Sequence, residues 1–188
     1  MLRIESITKR FEDFKAVEDL YKSAFPKAEQ APMFFLLQRA KKDYIEFNAC
    51  YDNDMLVGIT YLITHEPITY VLYIATAATE RSKGYGSQIM EHIKKAHPDN
   101  RIILNIETED ENADNNEQRK KRKQFYIKNG FLSSGIFSKF SNVTWELLVY
   151  NGTCTANEFL ELHKKALGLI IFFFMKPFIN PKTIANGK

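Results

Sequence analysis

Ile74-Ala75-Thr76-Ala77-Ala78-Thr79-Glu80-Arg81-Ser82-Lys83-Gly84-Tyr85-Gly86-Ser87 is the segment around which the rest of the chain falls into order. Ile68 to Ala75 is dense in β-branched and aromatic residues and reads as a strand. Gly84 to Ala96 reads as a helix with Ile89 and Ile93 on one face. A strand therefore feeds a loop whose two glycines open a helix. Backbone N–H groups at a helix start have no internal partner and carry partial positive charge, so they suit phosphate. Glycine lets a bulky pyrophosphate approach the backbone with no Cβ in the way. Arg81 and Lys83 add charge, and Ser87 adds a hydroxyl donor. The Walker pattern is absent, and the third glycine of the dinucleotide fingerprint is replaced by Ile89. Taken alone, the loop fits two readings: a phosphate cradle, or a glycine-containing helix cap with solvated charges.

Outward from the loop, the chain alternates helices and strands. Ile4 to Ile7 is a short strand candidate, and Phe11, Phe14, Val17, Leu20 and Ala24 mark one face of a helix. Pro26 breaks it, and Pro32 opens a second helix carrying Phe35, Leu36, Gln38 and Arg39. Asp52-Asn53-Asp54 reads as a hairpin turn between Tyr44–Tyr51 and Met55–Thr64. Arg101 to Ile106 is an apolar strand suited to burial on both faces. An acidic, Asn-rich stretch, Glu107 to Glu117, leads into a basic helix from Gln118 to Asn129, stopped by Gly130. Strands around Leu132–Phe140 and Val143–Tyr150, a turn at Asn151-Gly152 and an amphipathic helix from Thr155 to Leu167 complete the pattern. Together these predict a mixed α/β sheet in one domain.

Composition sets the class. The 188 residues are 45% hydrophobic and 13% aromatic, enough for a sizeable core, and the net charge of +3 is too mild to imply nucleic acid, though it suits a small anionic ligand. Cys50 and Cys154 lack Cys-x-x-Cys spacing and neighbouring histidines, so zinc and redox motifs have no support. His65, His92, His97 and His163 show no metal spacing either, and no metal is expected. The N-terminus meets charge at once, without the apolar core of a signal peptide. The longest apolar run, Ala166 to Met175, is shorter than the ~20 residues of a membrane span. A reduced, cytoplasmic setting is the expectation.

A second element joins the first. Arg81-x-x-Gly84-x-Gly86, followed some forty residues on by Phe125-Tyr126-Ile127-Lys128-Asn129-Gly130-Phe131, resembles the GCN5-related N-acetyltransferase (GNAT) family. The first element is similar to that family's Gln/Arg-x-x-Gly-x-Gly/Ala acetyl-CoA loop, the second to its Tyr-x-x-x-Gly-Phe helix end. The resemblance covers about four-fifths of the chain. It implies a mostly antiparallel mixed sheet flanked by helices, with a V-shaped split between strands 4 and 5. It also implies a GNAT domain over residues 1–151 and a C-terminal extension over 152–188, packed on the domain or at a dimer contact.

The resemblance further implies acetyl-CoA as cosubstrate. Ile74, Ala75 and Thr76 would hold the pantetheine, and Arg81, Ser82, Lys83, Gly84, Tyr85, Gly86 and Ser87 the pyrophosphate. Tyr126 occupies the family's general-acid position, and a core tyrosine capping a helix–sheet contact is its structural alternative. Glu107 is the best-placed carboxylate to accept the amine's proton, with Glu29 second. Arg119 and Arg122 stand where such proteins often carry Asn and Ala, which leaves a guanidinium–phosphate contact open at Arg119. The acceptor would be a small-molecule or peptide amine, with no nucleic acid, no membrane span, and a monomeric or homodimeric state. Two other functions fit the sequence: a catalytically silent acyl-CoA-binding domain, and a basic module acting through Arg119-Lys120-Lys121-Arg122-Lys123. Leu167 to Ile179, with Phe172-Phe173-Phe174, reads as a strand, a membrane-contacting tip or a dimer seam, and packing onto its own domain is favoured.

Overall fold

The computed structural model describes residues 2–140, 143–167 and 178–179. The chain divides into two compact units, Met1–Thr64 with Val71–Pro98 and His65–Tyr70 with Asp99–Lys188. The boundary falls within the fourth strand, so each unit owns part of it.

In the first unit, strand β1 (Arg3–Ser6) pairs antiparallel with β2 (Ile45–Asp52), and β2 with β3 (Met55–His65). β4 (Ile68–Thr76) follows next in the sheet. The expected turn at Asp52-Asn53-Asp54 is present, with Asn53 at φ 52°, the left-handed conformation Asn tolerates best after Gly. Helix α1 (Phe14–Ala24) buries Val17, Leu20 and Tyr21, one stripe at helical spacing, and extended Phe25 before Pro26 ends it. α2 (Met33–Arg39) follows Pro32 and buries Leu36 and Leu37. α3 (Tyr85–Ala96) lays Ile89, Met90 and Ile93 on the sheet. Gly58, inside β3, makes that contact possible: a Cβ there would stand 2.6 Å from both the Ala75 carbonyl oxygen and the Ile89 Cδ1. A lone glycine in a strand often marks such a close approach.

In the second unit, Ile68, Thr69 and Tyr70 of β4 pair parallel with Arg101, Ile102 and Ile103 of β5 (Arg101–Glu107). Both strands run on past this ladder, β4 to Thr76 and β5 to Glu107. The order continues β5, β7 (Val143–Tyr150), β6 (Leu132–Phe140) and β8 (Phe178–Ile179), all antiparallel. Ile102, Ile103, Leu104 and Ile106 are all buried, as the apolar run of β5 predicts for a strand covered on both faces. α4 (Asn116–Lys128) precedes β6. α5 (Ala156–Leu167) buries Phe159 and Leu162 completely, with Phe159 edge-on to Tyr70.

The start of α5 is a capping box: Thr155 Oγ1 accepts from the Glu158 N–H (3.3 Å), and Glu158 Oε2 accepts from the Thr155 N–H (2.8 Å). Glu158 also pairs with Arg101 at 2.7 Å, and that guanidinium is the main reason its carboxyl is drawn down to about 2. The expectation for Leu167 to Ile179 falls mostly outside the described residues. Phe178 and Ile179 alone of that run's second half are described, paired with Lys139 and Ser138.

Candidate active site

The loop after β4 has the geometry its glycines suggest. Ser82 (φ 65°) and Gly84 (φ 90°) both take positive φ, and Gly84 caps α3 with no side chain covering the helix start. The first helical bond runs from the Gln88 N–H to the Gly84 carbonyl at 3.1 Å. The N–H groups of Tyr85, Gly86 and Ser87 therefore lack intrahelical acceptors. A Cβ on Gly84 would meet nothing within 4 Å, so glycine stands there for its backbone angle. Alternating left-handed residues with exposed N–H groups form an anion-binding concavity.

Side chains brace this loop. Lys83 reaches both oxygens of buried Glu80, at 3.1 and 3.0 Å, so its charge is largely committed. Tyr85 donates its hydroxyl to Asp52 at 2.6 Å, which ties the start of α3 to the β2–β3 turn and raises the phenol's pKa. Arg81 is exposed and makes no ion pair with a described residue. Of the pantetheine candidates at the end of β4, Ala75 is buried while Ile74 and Thr76 are half-buried.

The loop from Phe25 to Pro32 is pinned from below, a feature that sequence reading missed. Tyr73 donates to the Glu29 carbonyl (2.8 Å) and accepts from the Ala31 N–H (3.2 Å). Tyr21 donates to the Ala31 carbonyl (3.2 Å), and Gln30 Nε2 donates to the Phe25 carbonyl (2.6 Å). The Tyr21, Phe25 and Tyr73 rings pack at centroid distances of 4.8 to 5.4 Å.

In the second unit, the Tyr-x-x-x-Gly-Phe element is a Schellman motif. Gly130 takes φ 83°, its N–H bonds the Ile127 carbonyl (2.9 Å), and the Phe131 N–H bonds the Tyr126 carbonyl (3.1 Å). The apolar contact that accompanies such caps is the Phe131–Tyr126 ring pair, at 5.8 Å. The spacing thus has a structural cause, but only the Tyr126 backbone and ring take part in it. The hydroxyl bonds no described residue. Burial pushes the phenol up to about 12, with the nearby Arg122 charge pulling the other way. It stays protonated at neutral pH, as a proton donor must.

Glu107 ends β5, buried and held by two guanidiniums. Its Oε1 pairs with Arg119 at 3.0 Å, and its Oε2 pairs with Arg122 at 3.1 Å and accepts from Asn115 at 3.3 Å. Arg119 is spent inside the unit, since its other nitrogens donate to Asn115 Oδ1 (2.8 Å) and the Thr108 carbonyl (2.9 Å). A phosphate contact from Arg119 has to compete with these three bonds, whereas Arg81 is the freer guanidinium.

The remaining cations of the basic run behave alike. Lys120 pairs with Glu117 (2.9 Å) and Lys123 with buried Glu146 (2.9 Å), leaving Lys121 as the member without an ion pair among the described residues. Both cysteines are buried and reduced, with burial holding each thiol up near 12, so neither offers a ready nucleophile. Among the described residues, no group of three or more His, Cys, Asp or Glu could hold a metal ion, and no helix is long and apolar enough to cross a membrane.

Residues 43–132, which contain the glycine loop and Tyr126, match the sequence profile of the acetyltransferase (GNAT) domain. Over that stretch the chain is similar to a GNAT acetyltransferase domain. Among curated proteins, none matches the sequence. Solved structures share the GNAT fold at low identity. A GNAT-family acetyltransferase from Bacteroides thetaiotaomicron superposes with a TM-score of 0.71 at 21% identity, over 90% of this chain and 98% of that one. The ribosomal-protein-S18-alanine N-acetyltransferase of Escherichia coli gives 0.60 at 14%, over 83% and 97%. A GNAT acetyltransferase from Elizabethkingia anophelis, with acetyl-CoA bound, gives 0.58 at 16%, over 80% and 98%. The profile match places both motifs inside the GNAT domain. All but the first residue of β6, together with β7, α5 and β8, follows the matched residues in the chain.

Proposed function

We propose that this protein transfers the acetyl group of acetyl-CoA directly to a primary amine of a small-molecule or peptide acceptor. The reading rests on the loop from Arg81 to Ser87: two left-handed residues, a helix start without a side-chain cap and an exposed guanidinium with no ion pair among the described residues, all within the stretch that matches the GNAT domain. Its N–H groups, with Arg81, bind the pyrophosphate. Ile74, Ala75 and Thr76 bind the pantetheine through their backbone, and a main-chain N–H there stabilises charge developing on the thioester oxygen.

The neutral amine nitrogen attacks the thioester carbon, and the C–N bond forms as the C–S bond breaks. Tyr126 gives its phenolic proton to the departing thiolate. Glu107 takes the proton lost by nitrogen, through Oε2. That oxygen faces Arg122, whose side chain is 42% exposed, whereas Arg119 on Oε1 is 10% exposed. Because the carboxylate is already doubly paired, its contribution as a base is small. The products are an acetamide and free CoA thiol. The E. coli relative's name points to a peptide amine, and that class is included in the acceptor panel.

The rival reading as a basic interaction module loses its support in α4, where four of the five consecutive cations are ion-paired with this chain's own carboxylates. The test is thiol release from acetyl-CoA with a panel of polyamines, aminoglycosides and peptide N-termini. It is run beside calorimetric titration of CoA into wild type and Gly84→Val. Val at φ 90° forces the loop out of shape and puts branched carbons where the phosphates approach, so CoA binding weakens by about tenfold or more. Unchanged CoA affinity in a folded variant overturns the cradle. CoA binding with no thiol release on any amine leaves the silent acyl-CoA-binding reading standing.

A further inference from the structure

We propose that the first unit carries a second ligand site: a groove along α1 and α2 that takes an anionic single-chain amphiphile, an aliphatic carboxylate. Two cavities, of about 320 and 350 Å³, adjoin there and share Lys9 and Leu37 in their walls. The first has an apolar floor of Ile7, Leu37 and Ala40 under the cations of Lys9, Arg10 and Lys41, with no carboxylate in its lining. The second is lined mainly by Phe14, Met33, Phe34 and Leu37. Glu18, its one acidic member, is paired with Lys22 at 3.0 Å. The groove is therefore cationic at one end and apolar at the other.

Two features set it apart from ordinary solvated surface. Lys9, Arg10 and Lys41, none of them ion-paired with a described residue, line one cavity together. The carbonyl end of α2 attracts positive charge, but one cation suffices for that and three converge. Phe34 stands 66% exposed at the apolar end, beside Phe14 and Met33 in the same lining. An aliphatic chain laid along these side chains removes apolar surface from water while its head group meets the three cations. A cationic head is repelled at that end, and an uncharged one gains hydrogen bonds without the charge pairing.

The groove is not the phosphate cradle. Ile7, in its floor, donates its N–H to the Phe47 carbonyl near the start of β2 (2.7 Å), whereas the glycine loop is tied through Tyr85 to Asp52 at the end of β2. Five residues of extended strand separate the two, about 17 Å. The groove is therefore separate from the loop proposed to bind pyrophosphate, and loss of either site leaves the other untouched.

Isothermal titration of decanoate, below its micelle concentration, into the full chain tests it. Saturable one-to-one binding is expected, about tenfold or more weaker in the Lys9→Gln/Arg10→Gln/Lys41→Gln variant. Phe34→Ala is likewise weaker, and decyltrimethylammonium does not bind. The substituted side chains are exposed, so melting temperatures stay near wild type, and CoA affinity stays unchanged. Absence of decanoate binding to wild type overturns the proposal. So does undiminished binding to the triple variant, equal binding of the cationic amphiphile, or loss of CoA affinity alongside decanoate affinity. Association with phosphatidylglycerol vesicles without decanoate binding assigns the patch to membrane surfaces and overturns it as well.

Discussion

Tyr126→Phe separates the two roles that one residue could fill. Its ring closes the cap of α4 against Phe131, and its backbone carbonyl accepts the cap's longer bond. Phenylalanine keeps both. The hydroxyl has no described partner to lose, so the stability change stays within about 0.5 kcal/mol, the range of substitutions that remove no specific interaction. Catalysis is a different matter. A positioned general acid contributes about 10²- to 10⁴-fold, and a thiolate, whose parent thiol has a pKa near 8.5, is a tolerable leaving group, so the low end applies. A 10²-fold loss in kcat is about 2.7 kcal/mol of barrier. The assay is thiol release under single-turnover conditions with a productive amine, beside thermal unfolding and CoA titration of the same preparation. Because burial pushes the phenol up to about 12, wild type shows no loss of the acid form between pH 7 and 10. A folded variant with wild-type kcat where chemistry limits the rate refutes the acid role and leaves Tyr126 as a capping residue. A large loss of stability refutes the claim that its hydroxyl is structurally idle.

Three further outcomes follow from particular contacts. Gly58→Ala places a Cβ 2.6 Å from the Ala75 carbonyl oxygen, which cannot yield as a side-chain tip could, so stability falls by about 2 kcal/mol and the melting temperature by roughly 4–8 °C; a melting temperature within one degree of wild type contradicts it. Glu107→Gln leaves the Arg119 and Arg122 guanidiniums without their counter-charge and costs about 2–4 kcal/mol of stability, while kcat drops less than tenfold; a 10²-fold rate loss at unchanged melting temperature reverses the relative weight of these roles. Glu158 has a folded pKa drawn down to about 2, so the stability it adds is present above about pH 4.5 and is lost as pH falls toward 2. Its carboxylate is 35% exposed, and solvent screening limits the effect to about 1 kcal/mol, read as a flatter acid limb of the unfolding curve in Glu158→Gln.

The sequence told most about features whose cause is local. The glycine loop was legible because Gly84 and Gly86 follow a strand and open a helix. The helix end at Gly130 was legible because a Schellman cap needs its glycine and apolar neighbour at fixed spacing. The order of strands through β7 followed from apolar runs and turn residues for the same reason. What stayed hidden depends on partners distant in sequence. The five-cation run reads as an exposed basic patch because Glu107 lies on β5 and Glu146 on β7, and only the folded sheet brings them to α4. Tyr21 and Tyr73 read as core aromatics, and nothing nearby announces that their hydroxyls hold a loop some ten and forty residues away. Gly58 did carry a signal, an isolated glycine in a strand, but not the identity of what approaches it.

The pinned segment from Phe25 to Pro32 bears on binding kinetics. Three side chains, Tyr21, Gln30 and Tyr73, already satisfy its backbone groups and hold its path. A wall set in advance has little conformational freedom left to surrender, so a molecule that settles against it gives up mainly its own entropy. Association there should proceed in one kinetic phase, with a rate that rises linearly with ligand concentration and no slow isomerisation after the encounter. Loosening the wall by Tyr73→Phe, which removes the hydroxyl and spares the ring, should add that slow phase while leaving the packed aromatic trio in place.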